Sequence, residues 1–295
     1  MKCGSIFVLM AALPISAFAA DVDERIDAAA NGQVIIRNMT GDIVIAGWDQ
    51  NAVQVSGEIS DRAERLDVHR EGDRVVVEVV YPDNWQGDQA SAGDTDLAIS
   101  VPRGSDLDVE TISADLSVSG VAGEQRLVSV NGDIDLNDLA AEARIESVGG
   151  DIRVTGRGAA SRTSANAVSG DIGLQGISGE VTVGAVSGDI RIDAGLISRA
   201  EVESVSGDVN FSGELGSDAR VRATSTSGDI RLSFSGNAAA EYNLSSFSGE
   251  IDNCFGPSVQ QSRVGPPTSA VTFTEGNSDA RVDVSTMSGD IDLCR

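Results

Sequence analysis

The chain has 295 residues, 46 acidic against 21 basic, and a net charge of −25. Nucleic-acid binding needs a basic face that displaces counterions from phosphate, so this balance excludes it and disfavours adhesion to anionic lipid head groups. Chemistry is thinly supplied too, with one histidine, His69, and three cysteines, Cys3, Cys254 and Cys294.

Residues 1–19 read as a secretory signal. Lys2 is the positive start, Ile6 to Ile15 is a short apolar run, and Ala17-Phe18-Ala19 is a small-x-small cleavage pattern. Cys3 precedes the apolar run, whereas a lipoprotein cysteine would follow it. No later apolar segment reaches spanning length, so the mature chain is expected to be extracytoplasmic, in the periplasm or at the cell surface, with no transmembrane segment. A retained anchor is the alternative.

From residue 20 to residue 107 the chain predicts an irregular β-rich part. Val34-Ile35-Ile36, Ile43-Val44-Ile45, Val53-Gln54-Val55, Arg74 to Val80 and Leu97 to Val101 are the strand candidates, and Pro82 to Thr95 reads as an exposed loop. Gly41-Asp42-Ile43 is an early echo of the repeat that fills the rest of the chain. This third is therefore read as a less regular opening of one fold, with a separate small β domain as the alternative.

Residues 108–295 carry that repeat, Ser-Gly-Asp followed by Ile or Val. It opens with a degenerate Ser113-Ala114-Asp115-Leu116. It continues as Asn131-Gly132-Asp133-Ile134, Gly149-Gly150-Asp151-Ile152, Ser169-Gly170-Asp171-Ile172 and Ser187-Gly188-Asp189-Ile190. Later copies are Ser206-Gly207-Asp208-Val209, Ser227-Gly228-Asp229-Ile230 and Ser288-Gly289-Asp290-Ile291. Glutamate copies stand at Ser178-Gly179-Glu180-Val181 and Ser248-Gly249-Glu250-Ile251. At the glycine position the steps from 114 are 18, 18, 20, 18, 19, 21, 21 and 40, and the copy at Gly179 splits one step into 9 and 9.

A period near 19 that can halve predicts a coil of two similar strand-turn units. Alternation such as Ile172 and Leu174, or Val181 and Val183, marks strands with one buried face. Coils stacked about 4.8 Å apart give an all-β, parallel β-solenoid with aliphatic columns inside. At each corner, glycine is expected to supply an unusual backbone angle and aspartate to hydrogen-bond amides of the turn. The residues before glycine would stack as a hydroxyl ladder. Val130, Val148, Val168, Val186 and Val205 form another column, continued by Thr226, Phe247 and Met287, whose greater bulk predicts a coil that widens toward its C-terminal end.

These serial motifs, with the phrase Thr40-Gly41-Asp42-Ile43-Val44-Ile45-Ala46-Gly47-Trp48-Asp49 and the Val101-Pro102 step, resemble the putative-adhesin family of bacterial β-strand-repeat proteins of unknown function. The resemblance spans nearly all of the mature chain. It implies exported or envelope-associated proteins, some beside stress-response systems, and it supplies no catalytic residues to carry over.

Cys254 and Cys294 both lie five residues after a motif glycine, which puts them on one longitudinal line. On adjacent coils they are within disulfide range; two coils apart they are not. The 40-residue step fits two coils or one coil with a loop, and Pro257, Pro266 and Pro267 favour the loop. A disulfide clamping the last coil is expected.

No cofactor is expected. The corner aspartates recur at one phase, as a turn requirement produces, whereas a catalytic set would break the repeat at one place. Calcium could relieve stacked carboxylates, yet a single glycine before each aspartate suits amide capping better than the calcium-solenoid pattern. His69 reads as a solvated surface residue, Trp48 as a core residue, and Trp85 as a loop contact. The expectation is a non-catalytic envelope or surface binding protein whose partner is a protein or polysaccharide. A sensor module of envelope stress and a β-helical polysaccharide-degrading enzyme are the alternatives.

Overall fold

The computed structural model describes residues 20–82, 93–236, 238–257, 260–261 and 269–294. The signal segment and Trp85 lie outside the described residues. Strands account for all the regular structure among them, with no helix. The molecule is a β-solenoid-like stack with two faces joined at two corners.

The upstream face holds the strand that precedes each Ser-Gly-Asp corner, and the downstream face the strand that comes after it. In the regular part, Gln125–Ser129, Ala143–Ser147 and Ala160–Ser169 lie parallel in the upstream face, while Ile134–Leu139 and Ile152–Gly156 lie parallel in the downstream face. Ile172–Ser187, Ile190–Ser206 and Val209–Ser227 are each long enough to serve both. Their first residues sit in the downstream face and their last in the upstream face. The change of face occurs at the second corner, where the register shifts between neighbouring coils. Ser178-Gly179-Glu180-Val181 stands at that corner, which accounts for the halved period.

The core is a file of aliphatic side chains between the faces. Ala165, Val183 and Val202 come from the upstream strands, and Ile152, Ile172 and Ile190 from the downstream strands, all essentially inaccessible. Burying one such Val or Ile contributes about 1.5–3 kcal/mol, and the stack repeats that gain at every coil. Near the C-terminal end aromatics enter the file: Phe211 and Phe234 lie 5.9 Å apart, and Tyr242 stacks on Phe273 at 5.0 Å. Phe247 and Met287, from which a wider C-terminal coil is expected, are not among these core side chains. They are 52% and 61% exposed.

Order in space departs from order in sequence at both ends. Arg281–Ser288 pairs on one side with Val209–Ser227 and on the other with Ala240–Ser248. Ile291–Cys294 likewise lies between Ile230–Ser235 and Ile251–Asn253. The last coil of the chain is thus interior, and Ser269–Glu275 runs antiparallel along the far side of Ala240–Ser248 as a cap. The N-terminal end has the same plan. Gln33–Trp48 lies between Asp106–Ser119 and an outer coil made of Arg74–Val80 and Asp96–Pro102. Antiparallel strands close that end, Arg65–Glu71 on the upstream face, Ala52–Ile59 then Ala20–Asp27 on the downstream face. The 40-residue step is therefore one coil with an insertion, the reading the prolines favour, since the coils of Ser248 and Ser288 are adjacent and the insertion contains the strand Ser269–Glu275. It carries the cap outward and the chain back inward.

Candidate functional site

The corner motifs come together as a column along the molecule. The aspartate does not cap its own turn as expected. Its carboxylate accepts the backbone N–H of the corresponding residue one coil on: Asp133 from Asp151 at 2.8 Å, Asp151 from Asp171 at 2.9 Å, Asp171 from Asp189 at 2.8 Å. Asp189, Asp208 and Asp229 extend the ladder to Asp208, Asp229 and Asp290. One oxygen per carboxylate is thereby committed to the backbone.

The outer oxygens are paired at intervals. Arg153 reaches Asp151 at 2.8 Å and Asp133 at 3.4 Å, while Arg231 bridges Asp229, Asp208 and Asp292. Among the described residues no group of three His, Cys, Asp or Glu is placed to hold a metal ion.

Glycine at the corner is fixed mainly by contact. A Cβ on Gly207 would overlap the carbonyl of Gly188, and its φ of 137° adds strain for any other residue. Gly132 and Gly150 lack that positive φ but would clash with the corner carbonyl of the preceding coil in the same way. Serines just before the glycine stack in register but stay exposed. The buried hydroxyls lie three residues before it, where Ser147 accepts the N–H of Gly150 at 3.0 Å.

Cys254 and Cys294 are disulfide-bonded with their α-carbons 5.0 Å apart. His69 is half-buried on the outermost upstream strand, with Nδ1 3.3 Å from Asp67 and Nε2 3.5 Å from Glu71. Trp48 is half-buried rather than core. Its indole N–H donates to the carbonyl of Ala52 at 2.8 Å, and the Arg25 guanidinium lies 5.0 Å from its ring.

Two carboxyls show opposite electrostatics. The Arg126 guanidinium hydrogen-bonded to Glu110 at 2.9 Å holds that carboxyl below the usual glutamate range, against some burial and with help from Arg37. Asp42 is pushed up by burial first, then by the nearby charges of Asp96, Asp115 and Asp94.

The feature not anticipated is the outer side of the upstream face. Val148, Val168, Val186 and Val205 are 45–49% exposed and form a straight apolar ridge. A groove of ≈ 780 Å³ runs beside it, with buried Ala167 and Ala185 among its lining. Strand parity was the available signal. Val181, Val183 and Ala185 point inward, so Val186 falls on the outward phase.

A family model described as Toastrack DUF4097 matches residues 36–294. Among solved structures the chain is similar to a putative adhesin from Bacteroides fragilis NCTC 9343, at 11% identity over 93% of this chain and 97% of that one, with a TM-score of 0.42. It is similar to a putative lipid binding protein from Parabacteroides distasonis ATCC 8503, at 12% identity over 92% and 96%, TM-score 0.35. A putative adhesin from the same organism gives 7% identity over 94% and 98%, TM-score 0.34. No curated protein shows significant similarity to the chain.

Proposed function

The chain belongs to the Toastrack DUF4097 family, and from that premise we propose that it is an exported, non-catalytic binding module of the cell envelope or surface. The supporting observation is the commitment of the corner carboxylates. In seven successive steps from Asp115 to Asp290 each aspartate holds the next coil's amide, so the most repeated charged group in the molecule serves the backbone. What such a stack offers a partner is a rigid, repeating outer face, with outward side chains every two residues along a strand and every coil across it. A protein or polysaccharide of the envelope is the class of partner such a face suits.

The test is affinity capture from cell envelopes with the purified protein as bait, alongside incubation with acidic polysaccharides. Specific retention of one envelope component supports the reading. Release of reducing or unsaturated ends from the polysaccharide overturns it in favour of a β-helical enzyme.

A further inference from the structure

We propose that the outer side of the upstream face is a homodimer interface in which two copies meet with their long axes antiparallel. An exposed apolar ridge crossing several coils is the kind of surface soluble proteins cover. The charges around it identify what covers it here.

Outward side chains on this face stand at eight, six, four and two residues before the corner glycine. In the outermost of these columns Glu124 and Glu142 lie toward the N-terminal end, Arg199 and Arg220 toward the C-terminal end, with Arg162 and Glu180 between them. Consider a second copy turned half a revolution about an axis along the strands, midway between the coils of Val168 and Val186. Coil order reverses while the column stays aligned. Arg162, which also bonds Glu180 at 3.0 Å and Glu142 at 3.4 Å in its own chain, then faces Glu180 of the second copy, Glu142 faces Arg199, and Glu124 faces Arg220. Every pair is of opposite sign, and each occurs twice.

The next column adds Arg144 against Glu201. At the centre the ridge places Val168 against Val186 and Val148 against Val205, beside the small, uncharged Ser164, Asn166, Thr182 and Gly184. Three like-charged pairs arise across the eight coils, and each contains a member already paired within its own chain. Asp108, opposite Asp283, is held by Arg126 at 2.8 Å. Glu146, opposite Glu203, is held by Arg144 at 2.8 Å. Arg126, opposite Arg222, is held by Asp108 at 2.8 Å and Glu110 at 2.9 Å.

A parallel arrangement has no such match. A displacement of the axis by half a coil sets Arg162 against Arg199 in one direction and against its own copy in the other, and a displacement by a whole coil toward the C-terminal end sets it against Arg220. Charge pattern and apolar ridge thus select one register. Eight coils of this face measure roughly 38 Å by 20 Å, about 800 Å² per copy, the size of a standard specific interface.

The proposal does not depend on the envelope partner, since self-association and envelope capture are read separately. Sedimentation equilibrium of the purified protein from about 1 to 100 µM is expected to give twice the chain mass. Arg199→Glu should weaken association about tenfold or more, and adding Glu142→Arg should restore it, because each change lies opposite the other. Mixing Val148→Cys chains with Val205→Cys chains should give a covalent dimer with a short bismaleimide linker, while either variant alone should not, because each lies three coils from its own counterpart. Thermal melts of each variant report that it is folded. A monomer throughout the range overturns the proposal. So does a failed rescue, or a Val148→Cys chain that crosslinks to itself.

Discussion

The backbone N–H of Asp290 donates to the carboxylate of Asp229 at 2.9 Å, although 61 residues separate them. Glu250 then donates its N–H to Asp290 at 2.8 Å, 40 residues in the opposite sense. The corner ladder therefore passes from 229 to 290 and back to 250. The C-terminal coil is a wedge inserted between two coils laid down before it. Its docking closes the stack, and neither neighbour has a complete set of backbone partners without it.

The disulfide ties that wedge to the outer coil. Removing it with Cys254→Ser and Cys294→Ser frees a loop of 40 residues in the unfolded chain, worth about 4 kcal/mol in the chain-entropy account. The double variant should melt well below the parent and lose protection first in residues 281–294. Thermal melts and amide hydrogen exchange check this. Two free thiols by mass spectrometry in exported protein would remove the premise.

Corner glycines should be intolerant in proportion to contact. Gly207→Ala drives a methyl group into the carbonyl of Gly188 and should cost about 3 kcal/mol or more. Gly72, at φ 67° with open space around its Cβ direction, should cost only about 1 kcal/mol for the same change. Urea denaturation of the two variants separates crowding from backbone preference. Equal losses would show that close approach is not what selects glycine in the ladder.

The ladder itself can be probed through Asp171. Asp171→Ala leaves the N–H of Asp189 without its carboxylate and should cost about 1 kcal/mol, since water reaches this exposed site. Asp171→Asn keeps an acceptor oxygen and should cost less. If the two variants are equally stable in urea, the carboxylate-to-amide bond contributes nothing measurable.

How far the fold could be read from the chain depended on whether a residue's role repeats. Ile134, Ile152, Ile172 and Ile190 recur after each Gly-Asp, so the stack, the two-unit coil and the phase of Cys254 and Cys294 were all accessible. Asp171 is legible as a turn residue from its motif, but its partner is the amide of another coil, which no turn rule anticipates. The interior position of residues 281–294 was hidden because spacing gives phase, and phase does not say which coil is the neighbour. The exposure of Val186 was available in the parity of Val181, Val183 and Ala185, but column membership alone cannot tell an inner column from an outer one.

Acid titration should separate two carboxyls of opposite behaviour. Glu110 sits below the ordinary glutamate range because Arg126 donates to its charged form. Its contribution to stability is present above the ordinary value and is lost as pH falls through the lowered folded value. Both partners are nearly half exposed, so solvent screening limits the effect to about 1–3 °C in Tm. Glu110→Gln should therefore melt below the parent at pH 7, with the gap closing in acid. Asp42 has the reverse sign: its raised folded value means the charged form opposes folding. Asp42→Asn should melt slightly above the parent at neutral pH. That advantage should shrink as pH falls through the raised folded value and vanish below the ordinary aspartate range, where the carboxyl is protonated in both states. Melting curves of the three proteins between pH 7 and about pH 3 decide it. A gap for Glu110→Gln that widens in acid, or an Asp42→Asn advantage that grows there, would contradict the assigned charges.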